Sequence, residues 1–533
     1  MIHGWRSQIH YWSHQTWLLK RLAAGIVIFS FLAAWLIIAL TPERREASVD
    51  PLEQRLRQDW QSLHRAEQPQ PYELVRWLHR TTKEIQHLCQ VLEIKVTTWE
   101  DYQSRGRLAD YDVKSLLAQH ASTEAEVALW ETFIRAELRR DTTAVQALAD
   151  AATQEPPLRT AHYIRGRQLL DRDPPLALKE FVQEATLFPE DMPRTTAFHW
   201  AINLHDETVL RQIANQPDWW DAMPASLREK AAIELSDVWL QVKALAEYKL
   251  LVGAPWNALS LTLLSASVWY VILVLHGGSG RWRWLWPLLP VVAGVLSIWP
   301  VLLIIPWQDV KLGMREDAPF PFDLWYQIGG VGVREELSKL LLASLFMPWL
   351  LRRRAPGAAI LLGAFVGLGF ALEENIEYYL RGNSSTVLGR FFTANFYHAA
   401  LTGISTHALY QLCRSRFGTA EKFLLTLAGV VTAHGVYNYG DAFLGDQSVG
   451  YLSIIVLAFV AWHFLDLIDQ ECAPSRQWVQ PGAVLLLGTA VQMAAIFLWV
   501  AIQTPDRQAL TGGAASCVSL FPIAFIYWRR LGA

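Results

Sequence analysis

Residues 324–350 read LWYQIGGVGVREELSKLLLASLFMPWL, an apolar run interrupted at its middle by Arg334, Glu335, Glu336 and Lys339. A stretch of this length and apolarity is expected to cross a bilayer as a helix. Charged groups near the bilayer centre cost several kcal/mol even on lenient scales, so they persist where they have a task. Three further polar sites follow in the next apolar segments: Glu373-Glu374-Asn375, then His398, then His434 with Asn438. Together they point to an active site built inside a membrane.

The rest of the chain agrees with a membrane setting. Of the 533 residues, 52% are hydrophobic and the net charge is only -3, with no Lys/Arg block of the kind that binds nucleic acid. The four cysteines, Cys89, Cys413, Cys472 and Cys517, are far apart and form no CxxC pair, so neither a disulfide framework nor a thiolate zinc site is indicated. Residues 23–40 are apolar, follow Lys20-Arg21 and lack a convincing small-x-small cleavage site, so they read as a signal anchor. Nine more spans are expected at 256–276, 285–307, 324–350, 358–380, 391–413, 423–444, 451–467, 483–502 and 514–528, about ten in all, each near the roughly 20 residues a crossing needs. The fold class is therefore all-α, a polytopic helical bundle. Its expected parts are a cytoplasmic N-terminus and anchor (1–40), a water-exposed insert between spans 1 and 2 (41–252) and a multispan domain (253–533).

Basic residues set the orientation. Arg6, Lys20 and Arg21, then Arg281 and Arg283, Arg352-Arg353-Arg354, Arg414, Arg416 and Lys422, Arg476, and Arg529-Arg530 fall on one side. The positive-inside rule then puts both termini in the cytoplasm of an inner-membrane protein and the insert on the periplasmic or extracytoplasmic side. The insert reads as helical, with apolar residues at helical spacing over 124–140 and 227–250. Tyr163, Gly166, Leu169, Ala177, Phe181, Ala185 and Pro189 resemble one tetratricopeptide-type hairpin with shifted aromatic and proline positions, and no clean second copy is found.

Depth gathers the polar sites. At about 1.5 Å per residue, Glu335 lies about 16 Å from the outer end of its span, Glu374 about 9 Å, His398 about 11 Å and His434 about 15 Å. Glu335 and Lys339, Glu374 and Tyr378, His398 and Thr402, and His434 and Asn438 each lie four apart and share a helix face. His407 falls on the opposite side from His398. Gly363, Gly367, Gly369 and Gly403 allow helices to approach closely around such a cavity. A carboxylate shielded by apolar walls is a usable general base, and a neighbouring carboxylate can share its proton. A His–Asn pair supplies donors suited to an oxyanion. Glu335, Glu374, His398 and His434 would equally serve as ligands for a hydrolytic zinc, although no HExxH is present. The residues leave both mechanisms open, and zinc is the one cofactor to consider.

Glu335-Glu336-x-x-Lys339, Gly369-Phe370-x-x-x-Glu374-Asn375, the His398 segment and His434-Gly435-Val436-Tyr437-Asn438, taken in order over 324–444, resemble the PrsW family of intramembrane proteases. That family is similar to the CAAX prenyl endopeptidases, whose EExxxR spacing differs from the Lys spacing here. The resemblance implies site-1-type cleavage of a membrane-protein substrate near its outer face, such as an anti-sigma factor or a signalling protein. It carries both a glutamic and a metalloprotease label. On this reading Glu335 activates water with Glu336 as proton partner. His434 and Asn438 stabilise the oxyanion, and Glu374 and His398 complete the pocket. The alternatives are a non-catalytic scaffold or sensor that keeps the fold, as the gamma-secretase scaffold subunit does, and a prenyl endopeptidase. A transporter lacks the inverted pair of broken helices it would need.

Overall fold

The computed structural model describes residues 2–41, 51–91, 112–139, 141–251, 255–277, 283–442, 447–472, 479–503 and 507–531. The expectations placed on Arg281, Arg476 and the 443–446 connection lie outside the described residues. Two compact units emerge, one formed by Met1–Glu43 with Gly253–Ala533 and the other by Arg44–Val252. Every regular element among the described residues is helical.

In the unit Arg44–Val252, helices adjacent in sequence pack on one another. Ala161–Leu169 and Pro174–Leu187 form a hairpin whose turn is set by Asp173, which accepts from the Leu176 N–H, and by prolines in the first turn of the second helix. Gly166 lets the Phe181 ring lie directly on the first helix, since a Cβ there would come within 2.6 Å of the ring. Beneath the hairpin, buried Glu184 accepts hydrogen bonds from the Tyr72 hydroxyl (2.6 Å), the Thr160 N–H (2.7 Å) and the Tyr163 N–H (3.2 Å). One carboxylate thus ties a distant helix to both arms of the hairpin.

In the other unit, six helices are long and apolar enough to cross a membrane: Thr16–Leu40, Trp256–His276, Leu288–Asp309, Pro356–Arg381, Leu452–Glu471 and Pro481–Gln503. The chain is a multi-pass membrane protein on that ground. The expected span 324–350 is not one continuous α-helix. A short turn, Phe322–Trp325, leads into a π-helical segment, Tyr326–Gly332, then Val333–Ser344, and after a break at Leu345 and Phe346 the helix Met347–Arg353. Pro348 explains the break, because it has no N–H to continue the ladder. The last expected span is likewise split into Arg507–Ser519 and Phe521–Leu531. Ala394–Arg414 and Ala420–Ala442 are long but carry the polar site residues, which lowers their apolarity. The first can do so because it is enclosed by protein along most of its length.

Glu184 makes the Arg44–Val252 unit testable on its own terms. Burial pushes its carboxyl pKa up, against the pull of the three hydrogen bonds. A folded pKa above the unfolded one means stability that is full below the unfolded value and lost as pH rises through the folded value. Replacing Glu184 by Ala leaves three buried donors unmatched, and roughly 3 kcal/mol or more of local stability should be lost. Hydrogen exchange over residues 160–187 of the intact protein should show that loss. It should also show that exchange accelerates as pH rises above the ordinary carboxylate range, after correction for intrinsic chemistry, in the wild type more than in the variant. Equal protection in both proteins would remove Glu184 from this role.

Candidate active site

The Glu335 helix is brought to the His434 helix by backbone contact. A Cβ on Gly332 would lie 2.7 Å from the Val431 carbonyl oxygen, and one on Gly435 would lie 2.5 Å from the Ile328 Cα. Only glycines let the π-helical segment and Ala420–Ala442 touch this closely, and they do so next to His434. The Glu374 helix, Pro356–Arg381, meets the His398 helix, Ala394–Arg414, in the same way. A Cβ on Gly367 would come within 2.1 Å of the His398 carbonyl oxygen, and one on Gly363 within 2.4 Å of that of Thr402. Gly369 instead meets Val291.

These crossings assemble one polar network. The fully buried Lys339 ammonium donates to Glu336 Oε1 at 2.6 Å and to His398 Nδ1 at 3.0 Å, and lies 3.7 Å from Glu335 Oε2. Because Lys339 is a donor at Nδ1, His398 carries its proton on Nε2 and donates it to Glu374 Oε2 at 3.1 Å. His434 donates from Nδ1 to Glu336 Oε1 at 2.6 Å. Its Nε2 lone pair then faces Glu335 Oε2 at 3.5 Å. That oxygen is buried and, among the described residues, accepts no hydrogen bond, and neither does Glu336 Oε2. Arg334, next in sequence, turns away to Gln308 Oε1 at 2.8 Å.

Five of the six residues singled out from the sequence therefore meet: Glu335, Glu336, Glu374, His398 and His434. Asn438 is half-buried one turn past His434, and among the described residues it makes no hydrogen bond to the network. His407 sits apart, 3.8 Å from Glu471. Sequence reasoning missed Arg390, whose guanidinium holds both Glu374 Oε2 and Asn375 Oδ1 and lies 3.6 Å from the centre of the Tyr378 ring. It reaches them from a short helix, Ser384–Phe392, capped by Asn383. That cap and the lone arginine just beyond it were the available signal. Asn375 continues the network to Asn395 and Ser265.

The set fits a metal ion in one respect and holds a competitor in another. Glu335, His398 and His434 can each offer an atom within 4.8 Å of the others. Two ligand atoms on a tetrahedral zinc are about 3.4 Å apart, given bond lengths near 2.0–2.1 Å, and the Glu335–His434 pair stands at that spacing with two lone pairs face to face. Two acceptors in that position need a cation or a proton between them. Glu336 would orient His434, as partners behind metal-binding histidines do. His398 would join only by exchanging the Lys339 ammonium for the ion.

The sequence profile described as PrsW family intramembrane metalloprotease matches residues 281–463. A PrsW-family domain thus occupies a C-terminal portion of the chain, reaching beyond 324–444 on both sides and containing every residue of the network except Ser265. No curated protein matches the chain, and no solved structure does.

Two measurements follow from this geometry. Gly367→Ala should overpack the crossing at His398 and cost about 1–3 kcal/mol, whereas Gly429→Ala, which meets nothing within 4 Å, should be tolerated. Thermal melting of the purified protein distinguishes them, and equal melting temperatures would mean the crossing yields. Elemental analysis after dialysis should find stoichiometric zinc in the wild type and a loss of it in both Glu335→Gln and His434→Ala. Wild-type protein without zinc would leave the proton, not an ion, between Glu335 and His434.

Proposed function

We propose that the chain is an intramembrane endopeptidase that hydrolyses a peptide bond of a membrane-protein substrate near the outer face, with Glu335 as the base. The observation that carries this reading is the buried Glu335 Oε2, without a hydrogen bond and 3.5 Å from His434 Nε2, inside the segment that matches the protease family. A buried carboxylate oxygen with nothing to accept from is available to a water molecule. Glu335 takes the water proton as the oxygen attacks the carbonyl carbon, and returns it to the amide nitrogen as the C–N bond breaks. Glu336 holds the His434 ring and the Lys339 ammonium in place, a positioning part that differs from the proton-partner role suggested by adjacency alone. With its Nδ1 proton committed to Glu336, His434 presents a lone pair, which suits a ligand better than an oxyanion donor. Glu374 fixes the His398 tautomer. In the alternative, a zinc ion held by Glu335, His398 and His434 would make Glu335 a ligand in place of the base and would supply Lewis-acid polarisation of the scissile carbonyl.

The membrane placement that accompanies this reading is ten crossings, counting the broken segments, with both termini in the cytoplasm of an inner-membrane protein. The Arg44–Val252 unit would face outward, a tetratricopeptide-like array that selects or gates the substrate ectodomain. Regulated site-1 cleavage of an anti-sigma factor or another signalling protein is the process such an arrangement suits.

Comparative membrane proteomics of wild type and Glu335→Gln should reveal a peptide generated only by the wild type. Turnover of a reporter containing that sequence should fall by roughly 10²-fold or more in Glu335→Gln, the scale expected for loss of a general base. Near-normal turnover in the Glu335→Gln/Glu336→Gln double variant would sink the mechanism. For the placement, an alkaline phosphatase fusion near Asp150 should be active and one after Arg354 inactive. The reverse pattern would turn the site toward the cytoplasm.

A further inference from the structure

Arg334 is a buried cation that the active-site network does not use. It is 7% exposed, donates from Nη1 to Gln308 Oε1 at 2.8 Å, and its guanidinium lies 5.5 Å from the centre of the Tyr326 ring. Among the described residues it forms no ion pair; its Nε is buried with no acceptor, and its Nη2 makes no hydrogen bond. Two acids are near enough to feel its charge. Glu335 is turned to His434 and Lys339, and Asp309, exposed and one residue past Gln308, makes no ion pair with it. An enclosed guanidinium without a counter-charge is strongly unfavourable. The deficit falls on one edge of the fork, where Nε and Nη2 remain as two parallel N–H donors. That edge matches the paired oxygens of a carboxylate or a phosphodiester.

Position narrows the guest. Arg334 heads a stripe of the helix Val333–Ser344, because residues three, seven and eleven further on share its face. Those residues are Leu337, Leu341 and Leu345, all of them exposed. Exposed leucines on a membrane segment meet acyl chains. From Leu337 to Leu345 they extend over about 12 Å of rise, most of the hydrocarbon depth of one leaflet. The arginine side chain itself lies toward the N-terminal end of its helix. Trp307, Phe322 and Trp325 are exposed at that end. Exposed aromatic rings in a membrane protein mark the headgroup level. A guanidinium above an apolar stripe, with aromatic residues beside it, has the polarity of a phospholipid read from head to tail.

Asp309 adds the last constraint. A purely anionic headgroup would bring its charge up to this carboxylate, whereas a headgroup with both signs meets an opposite charge at each end. A primary ammonium also offers three N–H donors to the carboxylate, which a quaternary ammonium lacks. We propose that Arg334 and Asp309 form a site for phosphatidylethanolamine, with the phosphodiester on the Nε–Nη2 edge, the ammonium at Asp309 and an acyl chain along Leu337, Leu341 and Leu345. The site adjoins Glu335, but lipid binding is read without turnover and stands apart from the protease reading.

The test uses the intact protein in a mild detergent and native mass spectrometry with one lipid added at a time. Wild type should retain phosphatidylethanolamine several-fold more than phosphatidylglycerol or phosphatidylcholine, and Arg334→Gln should lose that retention. Asp309→Asn, a change at an exposed position, should abolish the preference over phosphatidylcholine while a lipid is still held. A phosphatidylethanolamine carrying a photoreactive group in its acyl chain should label residues 337–345 in wild type and not in Arg334→Gln. Equal retention of the three lipids by wild type, adducts only elsewhere on the protein, or indifference to both substitutions would overturn the proposal. If Arg334→Gln does not fold, Asp309→Asn decides alone, and an unchanged lipid preference in that variant overturns it. Displacement of the photoreactive lipid by inorganic phosphate or glycerophosphoethanolamine would also overturn it, in favour of a site for the phosphate group without its chains.

Discussion

The Lys339 ammonium is the charge on which the membrane unit is organised. It is wholly enclosed, hydrogen-bonded to Glu336 and His398, close to Glu335, and 4.3 Å from the centre of the Phe370 ring. A buried cation of this kind persists only if its partners come with it, since leaving either sign unpaired costs several kcal/mol. The pairing reaches outward through His398 and Glu374 to Arg390, so the network contains three carboxylates and two fixed cations. With neutral imidazoles that leaves one negative charge to be met by a proton or by an ion. The vacancy in the charge balance coincides with the place where Glu335 and His434 face each other.

Much of this was legible in the sequence because lipid penalises charge so heavily. Glu335, Glu374, His398 and His434 stand out against apolar backgrounds, and counting rise per residue brings them to a common depth. The small residues that allow contact were visible too, at Gly363, Gly367, Gly369 and Gly403. What sequence spacing does not reveal is which nitrogen of a histidine is committed. The choice between oxyanion donor and ligand for His434 depends on Glu336, on another helix. Asn438 shows the limit of same-face reasoning: it lies one turn from His434, yet only the histidine reaches the network. Arg390 sits just before an expected span, and the short helix that swings it back onto Glu374 has no periodicity long enough to see. The breaks at Leu345 and after Ser519 were hidden because hydropathy is blind to helix continuity.

The helical unit follows a different economy. In the Arg44–Val252 unit a carboxylate is again buried, but Glu184 is satisfied by one hydroxyl and two backbone N–H groups and faces no cation among its hydrogen-bond partners. Such an arrangement fixes the angle between neighbouring helices and commits both carboxylate oxygens to structural hydrogen bonds. Within the membrane unit, by contrast, Glu335 Oε2 and Glu336 Oε2 accept no hydrogen bond among the described residues. The same side chain serves as a rivet in one setting and as a reagent in the other.

The π-helical segment Tyr326–Gly332 has a consequence for how the protein can vary. A π-helical turn takes in one residue more than an α-helical turn, and each residue of an α-helix advances the side chains by about 100°. The wide turn therefore sets the rotational phase of everything that follows it. Were the same residues wound as a plain α-helix from a fixed start, Glu335 and Glu336 would be displaced around the helix axis by about that angle, away from His434. The aim of the two carboxylates is thus stored in a count of backbone residues upstream of them. A deletion of one residue between 326 and 332 could change the winding without altering any site side chain, and lengthening elsewhere in the segment could not substitute for it.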